Sequence, residues 1–366
     1  MVKKLSIAID FDDTIGINNQ LAIEKYNQEF GTNYTINDIK HWNDKEDPTL
    51  EYRIKCYNDP EFVSQQVPYP GAQKFIKKLC KIADVYIASA VPPQCMTARA
   101  MSIKKLFPEI KDDHIILGSS KHIYDIDILL DDASHNIKDS IATYPVLIRR
   151  PWNADLSGVL AVNTYDDFLH IVEVIRESHI KPGLENGGVI CLVGPSGSGK
   201  TAIMTELTKD KNFVKPMTTT TRMRRIDEDD IAYRFVDEET FINEKEQGLF
   251  LETTVYSGHH YGTTSEEVDD IVNDSKYAVI PIDICGAIAI KNKYRKKAIL
   301  VFVNRDEEKV VYEIVSRNVS PEEKTARIVS LHEEYKNKVF CEAIVENNDT
   351  LENACNQVIA IIKKFT

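Results

Sequence analysis

VICLVGPSGSGKT, residues 189–201, runs from five apolar residues into a loop with the spacing GxxxxGK[ST]. The apolar run, cut off by a turn signal, reads as a strand buried on both faces, and a helix is expected from about Thr201. A glycine-rich turn in that setting lets backbone N–H groups wrap a phosphate at a helix N-terminus. Gly194, Ser196, Gly197, Ser198, Gly199, Lys200 and Thr201 are therefore candidate nucleotide-phosphate ligands. Lys200 would reach the β and γ phosphates, and Thr201 a Mg2+ ion.

Upstream, the same arrangement occurs once more. LSIAI, residues 5–9, is a second buried run and leads directly into DFDDT, residues 10–14. Strand and helix patterns then alternate through QKFIKKLCKI, VYIASA, AMSIKKLF and IDILLDD, which argues for a parallel α/β sheet. The stretch from about 16 to 68 is too long for a strand-to-helix loop and is mostly polar and helical, so it reads as an inserted cap. Pro182, Gly183, Gly187 and Gly188 break the pattern before the second sheet restarts. The expected layout is a first domain over 1–178, a linker over 179–187 and a second domain over 188–366.

The chain has 366 residues, with 45 Lys and Arg against 57 Asp and Glu, a formal net charge of −12. Two domains of ordinary size fit that length. The acidic balance argues against a domain that tracks nucleic-acid phosphates, which needs a basic face. Seven cysteines, an odd number with no CxxC pair, fit a reducing compartment and no structural zinc site. No apolar run has the length of a membrane span, and the N-terminus lacks an export signal, so a cytoplasmic location is expected.

DFDDT places Asp10 and Asp12 two apart at the carboxyl edge of the first sheet, where open α/β sheets bind ligands. One carboxylate can attack phosphorus while the other protonates the leaving oxygen, with Mg2+ offsetting the charge. Ser89 ends VYIAS, Lys121 follows GSS, and Asp131 and Asp132 end IDILL. A hydroxyl and an ammonium could hold phosphate oxygens, and a distal acidic pair could complete a metal site.

With these motifs in order, residues 1 to about 178 resemble the haloacid dehalogenase superfamily. Within it they are most similar to the 5'(3')-deoxyribonucleotidases, through DFDDT, FVSQQVPYPGAQKFIKKL, SSKHIYDIDILLDDASHNI and RRPWN. The resemblance implies a Rossmannoid parallel sheet with a small helical cap. It makes Asp10 the nucleophile, and Asp12 the acid–base that also lends its backbone carbonyl to Mg2+. Ser89 and Lys121 become phosphoryl ligands, and either or both of Asp131 and Asp132 metal ligands. Ala90 stands where these nucleotidases carry a second hydroxyl. Trp42, Tyr52 and Tyr57 in the cap could stack on a base or simply fill a core.

In the second half, TTTTRMRR supplies Arg222 and Arg225, three apart and able to fork around a phosphate, with Tyr233 following. GLFLE supplies Glu252, and HYGTT supplies Tyr261 and Thr263. A carboxylate accepts from both N1–H and the exocyclic amine of guanine, whereas adenine would leave it mispaired. The order GPSGSGKT, TTR, YRFV, FLE, YGT and IDICGA resembles guanylate kinase over about residues 188–366. That implies a P-loop NTPase parallel sheet with helices on both faces, ATP as phosphoryl donor on the glycine loop, and GMP or dGMP as acceptor. Arg222, Arg225, Tyr233 and Tyr261 would take the acceptor phosphate, Glu252 and Thr263 the guanine, and Asp283 would lie near the base. Arg317 and Arg327 would close over the transferring group, or equally serve as surface ion-pair partners. Pro281 and Cys285 depart from the family pattern, as does a shortened RIDEDDIAY segment.

The expected protein is a bifunctional enzyme of nucleotide metabolism. It pairs an Mg2+-dependent phosphatase for deoxynucleoside and other nucleoside 5'-monophosphates with an ATP-dependent guanylate kinase. A polynucleotide kinase-phosphatase is the alternative enzyme, disfavoured by the acidic charge and the guanine-reading set. A scaffold with one inactive half is the non-enzymatic alternative, disfavoured by intact Asp10, Asp12, Lys200 and Arg222.

Overall fold

The two apolar runs become central strands of two parallel sheets. The computed structural model describes residues 4–120, 125–224, 233–256 and 259–366. By contacts the chain divides into units Met1–Leu169 and His170–Thr366, a division that falls inside the helix Tyr165–Glu177.

In the first unit, β1 (Ser6–Asp10) is buried from Ile7 onward. It is followed by β2 (Asp84–Ser89), β3 (Ile115–Leu117), β4 (Ile128–Asp131), β5 (Tyr144–Ile148) and β6 (Ala161–Val162). All pair in parallel in the order β3-β2-β1-β4-β5-β6. Because β1 lies between β2 and β4, the strand-end residues Asp10, Ser89 and Asp131 are collected at one sheet edge. The cap contains α1 (Asn19–Phe30), α2 (Leu50–Tyr57) and α3 (Pro60–Gln65). Gly31, with φ 67°, ends α1 in the left-handed region that glycine adopts without strain. Asp59 accepts from the Glu61 N–H to start α3, with Pro60 in the first turn. Next, α4 (Ala72–Leu79) buries Phe75, Ile76 and Leu79 while Lys77 and Lys78 stay outside. Three more helices follow, α5 (Met96–Leu106), α6 (Ser134–Lys138) and α7 (Tyr165–Glu177).

In the second unit, β7 (Gly188–Val193) is buried along its whole length. β8 (Phe213–Val214) precedes a separate small sheet of β9 (Thr218–Thr220), β10 (Tyr233–Phe235), β11 (Phe250–Tyr256) and β12 (His259–Thr264). That mixed sheet, in the order β10-β9-β12-β11, was not foreseen as a layer of its own. β13 (Tyr277–Pro281), β14 (Ala298–Asn304) and β15 (Ala343–Glu346) complete a parallel sheet in the order β15-β14-β7-β13-β8.

Helix α8 (Lys200–Leu207) leaves the glycine loop, and α9 (Glu238–Glu246), α10 (Ser265–Asn273), α11 (Ile284–Tyr294), α12 (Glu307–Ser316), α13 (Pro321–Lys336) and α14 (Leu351–Lys363) follow. One face of the parallel sheet packs Ile190, Leu192, Val279, Ile299 and Val301 against Ile203 and Met204 of α8 and Val358 and Ile361 of α14. Alternation turns the neighbouring strand residues to the opposite face, where α11 packs on β7 and β14. Val310 and Ile314 of α12 pack on Leu331 of α13 and hold those two helices together. Among the described residues, no helix is long and apolar enough to cross a membrane.

Candidate active sites

At the edge of the first sheet, carboxylate oxygens of Asp10, Asp131 and Asp132 lie within 4.8 Å of one another, and all three residues are buried. Neighbours orient them. Asp131 accepts from the Ala133 N–H at 2.9 Å and from Asn136 Nδ2 at 3.0 and 3.1 Å. Asp132 accepts from the Trp152 indole at 2.8 Å and from Thr14 Oγ1 at 3.3 Å, while Asn153 donates to its backbone carbonyl. Asp131 and Asp132, which the sequence did not separate, each place a carboxylate in the cluster.

Asp12 follows a different course. Its carboxylate accepts from Ser89 Oγ at 3.0 Å and pairs with Arg99 Nη2. Gln66 Nε2 donates to it at 3.3 Å, and Gln66 Oε1 in turn accepts from Arg99 Nη1 at 2.6 Å. Arg99 is fully buried, with its guanidinium 3.9 Å from the Phe11 ring centre. The sequence reading missed this residue. Asp13 turns inward with φ 53° and accepts from the Asn18 and Asn19 N–H groups; burial nevertheless pushes its carboxyl up to about 7. Lys121, the expected ammonium, lies outside the described residues.

A pocket of about 220 Å³ opens on this cluster, lined by Asp10, Asp12 and Asp132 and, from the cap side, by Trp42, Arg53 and Tyr57. Of the three cap aromatics considered, Trp42 and Tyr57 line it. Tyr52 instead packs edge-on to Tyr26 and Phe30 and donates to Glu29. Ala90 also lines the pocket, and its carbonyl accepts from the Tyr57 hydroxyl.

In the second unit the glycine loop is shaped by its neighbours. Gly194 has φ 143°, and a Cβ there would sit 2.7 Å from the Val303 carbonyl oxygen. Lys200 donates to the Gly194 and Pro195 carbonyls, and burial lowers its ammonium to about 8. Thr201 is exposed in the first turn of α8. Arg317 and Arg327, which the sequence could not separate from surface ion-pair partners, both donate to the Ser196 hydroxyl. Arg327 also pairs with Glu323. Glu334, unremarked in the sequence, accepts from the Ser196 N–H at 3.1 Å.

The small sheet carries most of the expected acceptor residues. Glu252 on β11 and Thr263 on β12 are register partners, and Thr263 donates to the Glu252 carboxylate. Burial, with Asp283 adding like charge, pushes Glu252 up to about 7. Asp283 caps α11 by accepting from the Gly286 N–H at 2.8 Å. The Arg222 guanidinium lies 5.4 Å from the Tyr233 ring, which stands edge-on to Tyr261 at 6.2 Å. Arg225 lies outside the described residues.

Comparison with known proteins places both halves. The family model for guanylate kinase matches residues 187–365. The guanylate kinase of Thermotoga maritima is 32% identical over 181 residues, 48% of this chain and 86% of the relative. The C-terminal half belongs to the guanylate kinase family. The guanylate kinase of Onion yellows phytoplasma is 30% identical over 184 residues, 49% of this chain and 86% of its own. Residues 3–178 match the family model of the 5' nucleotidase, deoxy (Pyrimidine), cytosolic type C proteins. Among solved structures, guanylate kinase from Anaplasma phagocytophilum aligns with a TM-score of 0.39 and 22% identity, over 49% of this chain and 86% of that one. A haloacid dehalogenase-like hydrolase from Streptococcus pneumoniae aligns with a TM-score of 0.32 and 12% identity, over 47% and 100%. The chain is an enzyme that joins a nucleotidase-type phosphatase domain to a guanylate kinase domain.

Proposed function

We propose that residues 1–178 hydrolyse nucleoside or deoxynucleoside 5'-monophosphates and that residues 188–366 phosphorylate GMP or dGMP with ATP, on different substrates. The observation that carries the first half is that Asp10, Asp12 and Asp132 line one pocket, with Asp131 in the same carboxylate cluster and Ser89 hydrogen-bonded to Asp12. Asp10 attacks phosphorus as the bond to the nucleoside oxygen breaks, giving an aspartyl-phosphate. Asp12 passes a proton to that leaving oxygen, then takes one from the water that releases phosphate and restores Asp10. Ser89 and Arg99 hold the Asp12 carboxylate in place.

Three buried carboxylates with oxygen donors only fit Mg2+ rather than a softer metal. Asp10, Asp131 and Asp132 would hold it, together with the Asp12 backbone carbonyl. Bound there, the ion offsets the repulsion between the carboxylates and the incoming phosphate.

For the second half, the glycine loop with Lys200 and Thr201 takes the ATP phosphates, and Arg222, Arg225, Tyr233 and Tyr261 the acceptor phosphate. Glu252 and Thr263 read guanine, with Asp283 beside the base. Arg317 and Arg327, already gathered at Ser196, steady the charge of the transferring phosphoryl group.

The test is a panel of the eight ribo- and deoxynucleoside 5'-monophosphates with Mg2+, with and without ATP, following phosphate and diphosphate separately. Diphosphate confined to guanine nucleotides and phosphate released from a different monophosphate is the expected result. Identical preferences at the two sites, or no diphosphate at all, would sink the reading.

A further inference from the structure

Asn19, one of the residues lining the pocket above Asp10, carries a side-chain donor with no acceptor among the described residues. Asn19, at the start of α1, is 2% exposed. Its Oδ1 accepts from Arg53 Nη1 at 2.9 Å, and its backbone N–H donates to Asp13. Arg53, 5% exposed, is gripped on its other sides by Asp47 at 2.6 Å and Thr49 Oγ1 at 3.1 Å. A guanidinium can only donate, so the amide oxygen of Asn19 must face Arg53 and its NH2 must point away. That removes the usual ambiguity of an asparagine flip. Nδ2 is buried and has no acceptor among the described residues. Asn19 and Arg53 both line the pocket, on the cap side with Trp42 and Tyr57.

We propose that Asn19 determines substrate specificity in the phosphatase pocket by donating from Nδ2 to an acceptor oxygen on the nucleoside. The proposal rests on reading this pocket as a nucleoside-monophosphatase site. The carboxylate cluster claims the phosphate end, so the cap meets the nucleoside. Its aromatic walls suit the flat face of a base. Asp47 and Arg53 act as positioning residues, holding the amide oxygen so that the NH2 is the group left for a ligand. A nucleoside offers such an oxygen either as a base carbonyl or as a sugar hydroxyl. A buried donor that finds its acceptor discriminates strongly against substrates lacking one.

The test uses the full-length protein and the variants Asn19→Asp and Asn19→Leu. Asn19→Asp keeps the oxygen for Arg53 and exchanges the donor for an acceptor; Asn19→Leu removes both at similar volume. Values of kcat/KM are measured for the preferred nucleotide and for p-nitrophenyl phosphate, which has no nucleoside. Their ratio does not depend on the folded fraction of a preparation. The expected result is a fall of about ten- to a hundredfold in that ratio for both variants, mainly through KM. In the wild type, a 3'-deoxynucleotide showing the same loss assigns the acceptor to the sugar, whereas a 2-pyrimidinone nucleotide showing it assigns the base. An unchanged ratio in both variants overturns the proposal while leaving the phosphatase reading intact. Hydrolysis of p-nitrophenyl phosphate by a wild type that hydrolyses no nucleotide removes both.

Discussion

Arg99 and Asp12 form an ion pair inside the phosphatase domain, 87 residues apart in the chain and both almost fully excluded from solvent. The pair is held by Gln66 on one side and by the Phe11 ring on another. Removing one member of such a pair strands a buried charge, at about 3–5 kcal/mol. Arg99→Met is therefore expected to lower the stability of this domain by that amount in urea unfolding, and to slow phosphate release. Arg99→Lys keeps the charge without the planar fork and should fall between Arg99→Met and the wild type. Equal stability for Arg99→Met and wild type would contradict the buried pair.

Three clustered carboxylates repel one another unless a cation joins them. Asp10→Asn should stop phosphate release, by at least about a thousandfold, because an amide cannot attack phosphorus. In chelator the same variant should be more stable than wild type by about 1 kcal/mol, since one of the repelling charges is gone. Adding Mg2+ should reverse that order. Thermal unfolding in EDTA and in Mg2+ checks both halves of this expectation.

Glu252 sits near 7 in the folded protein against an ordinary 4.5. Between those values the folded state keeps a proton that the unfolded chain has released, so this group's contribution to stability declines as pH rises through the window. In the role proposed for it, accepting from the guanine N1–H and amine, Glu252 must be ionised. The kcat/KM for GMP should accordingly climb between about pH 6 and 8. Glu252→Gln should flatten that rise and lower kcat/KM for GMP about a hundredfold. The GMP phosphate titrates near 6 in both proteins, so the difference between the two profiles isolates Glu252.

Lys200, lowered to about 8 by burial, should lose its charge within the working range of the kinase. In the free enzyme kcat/KM for ATP is expected to fall above about pH 8, as the ammonium proposed to meet the phosphates is deprotonated. A Lys200→Met protein should be slower by at least about a hundredfold and lack that alkaline limb. A wild-type profile flat to pH 10 would exclude the assignment.

Arg317 and Arg327 meet at one hydroxyl, that of Ser196, and should act as a unit. Each Arg→Met change is expected to cut kcat about a hundredfold with little change in KM for GMP, and the double variant should lose much less than the product. Steady-state kinetics on the three variants decides this; fully multiplicative losses would mean that the two arginines work separately.

The strand ends and their loaded loops were legible because each is a local string. In DFDDT and GPSGSGKT the chemistry follows within a few bonds of the strand that positions it. Arg99 was not legible. It stands in MTARAMSIKKL beside lysines that remain outside the core, and nothing in that string separates the buried cation from the solvated ones. Tyr52 and Tyr57 show the same limit within one helix. Five residues apart, they point about 140° away from each other. Tyr57 lines the pocket and Tyr52 joins a cap cluster, and only the docking of α2 decides which is which. The small sheet of β9 to β12 escaped notice because none of its strands shows the unbroken apolar run that marked the central strands. β9 and β10 have three residues each, β12 reads HHYGTT, and β11 interrupts its apolar residues with Glu252, Thr253 and Thr254.

The sequence by itself determined the two sheet types, the carboxylate and phosphate loops at their edges, and the family resemblance of each half, because those features are written in contiguous residues. The tertiary structure alone decided that both Asp131 and Asp132 join Asp10, that Arg99 holds Asp12, that Arg53 engages the Asn19 amide oxygen, and that Arg317 and Arg327 converge on Ser196. The physical reason is range. A backbone turn sets the positions of neighbours through a few dihedral angles, whereas partners tens of residues apart meet only where packed helices and strands bring their side chains within bonding distance.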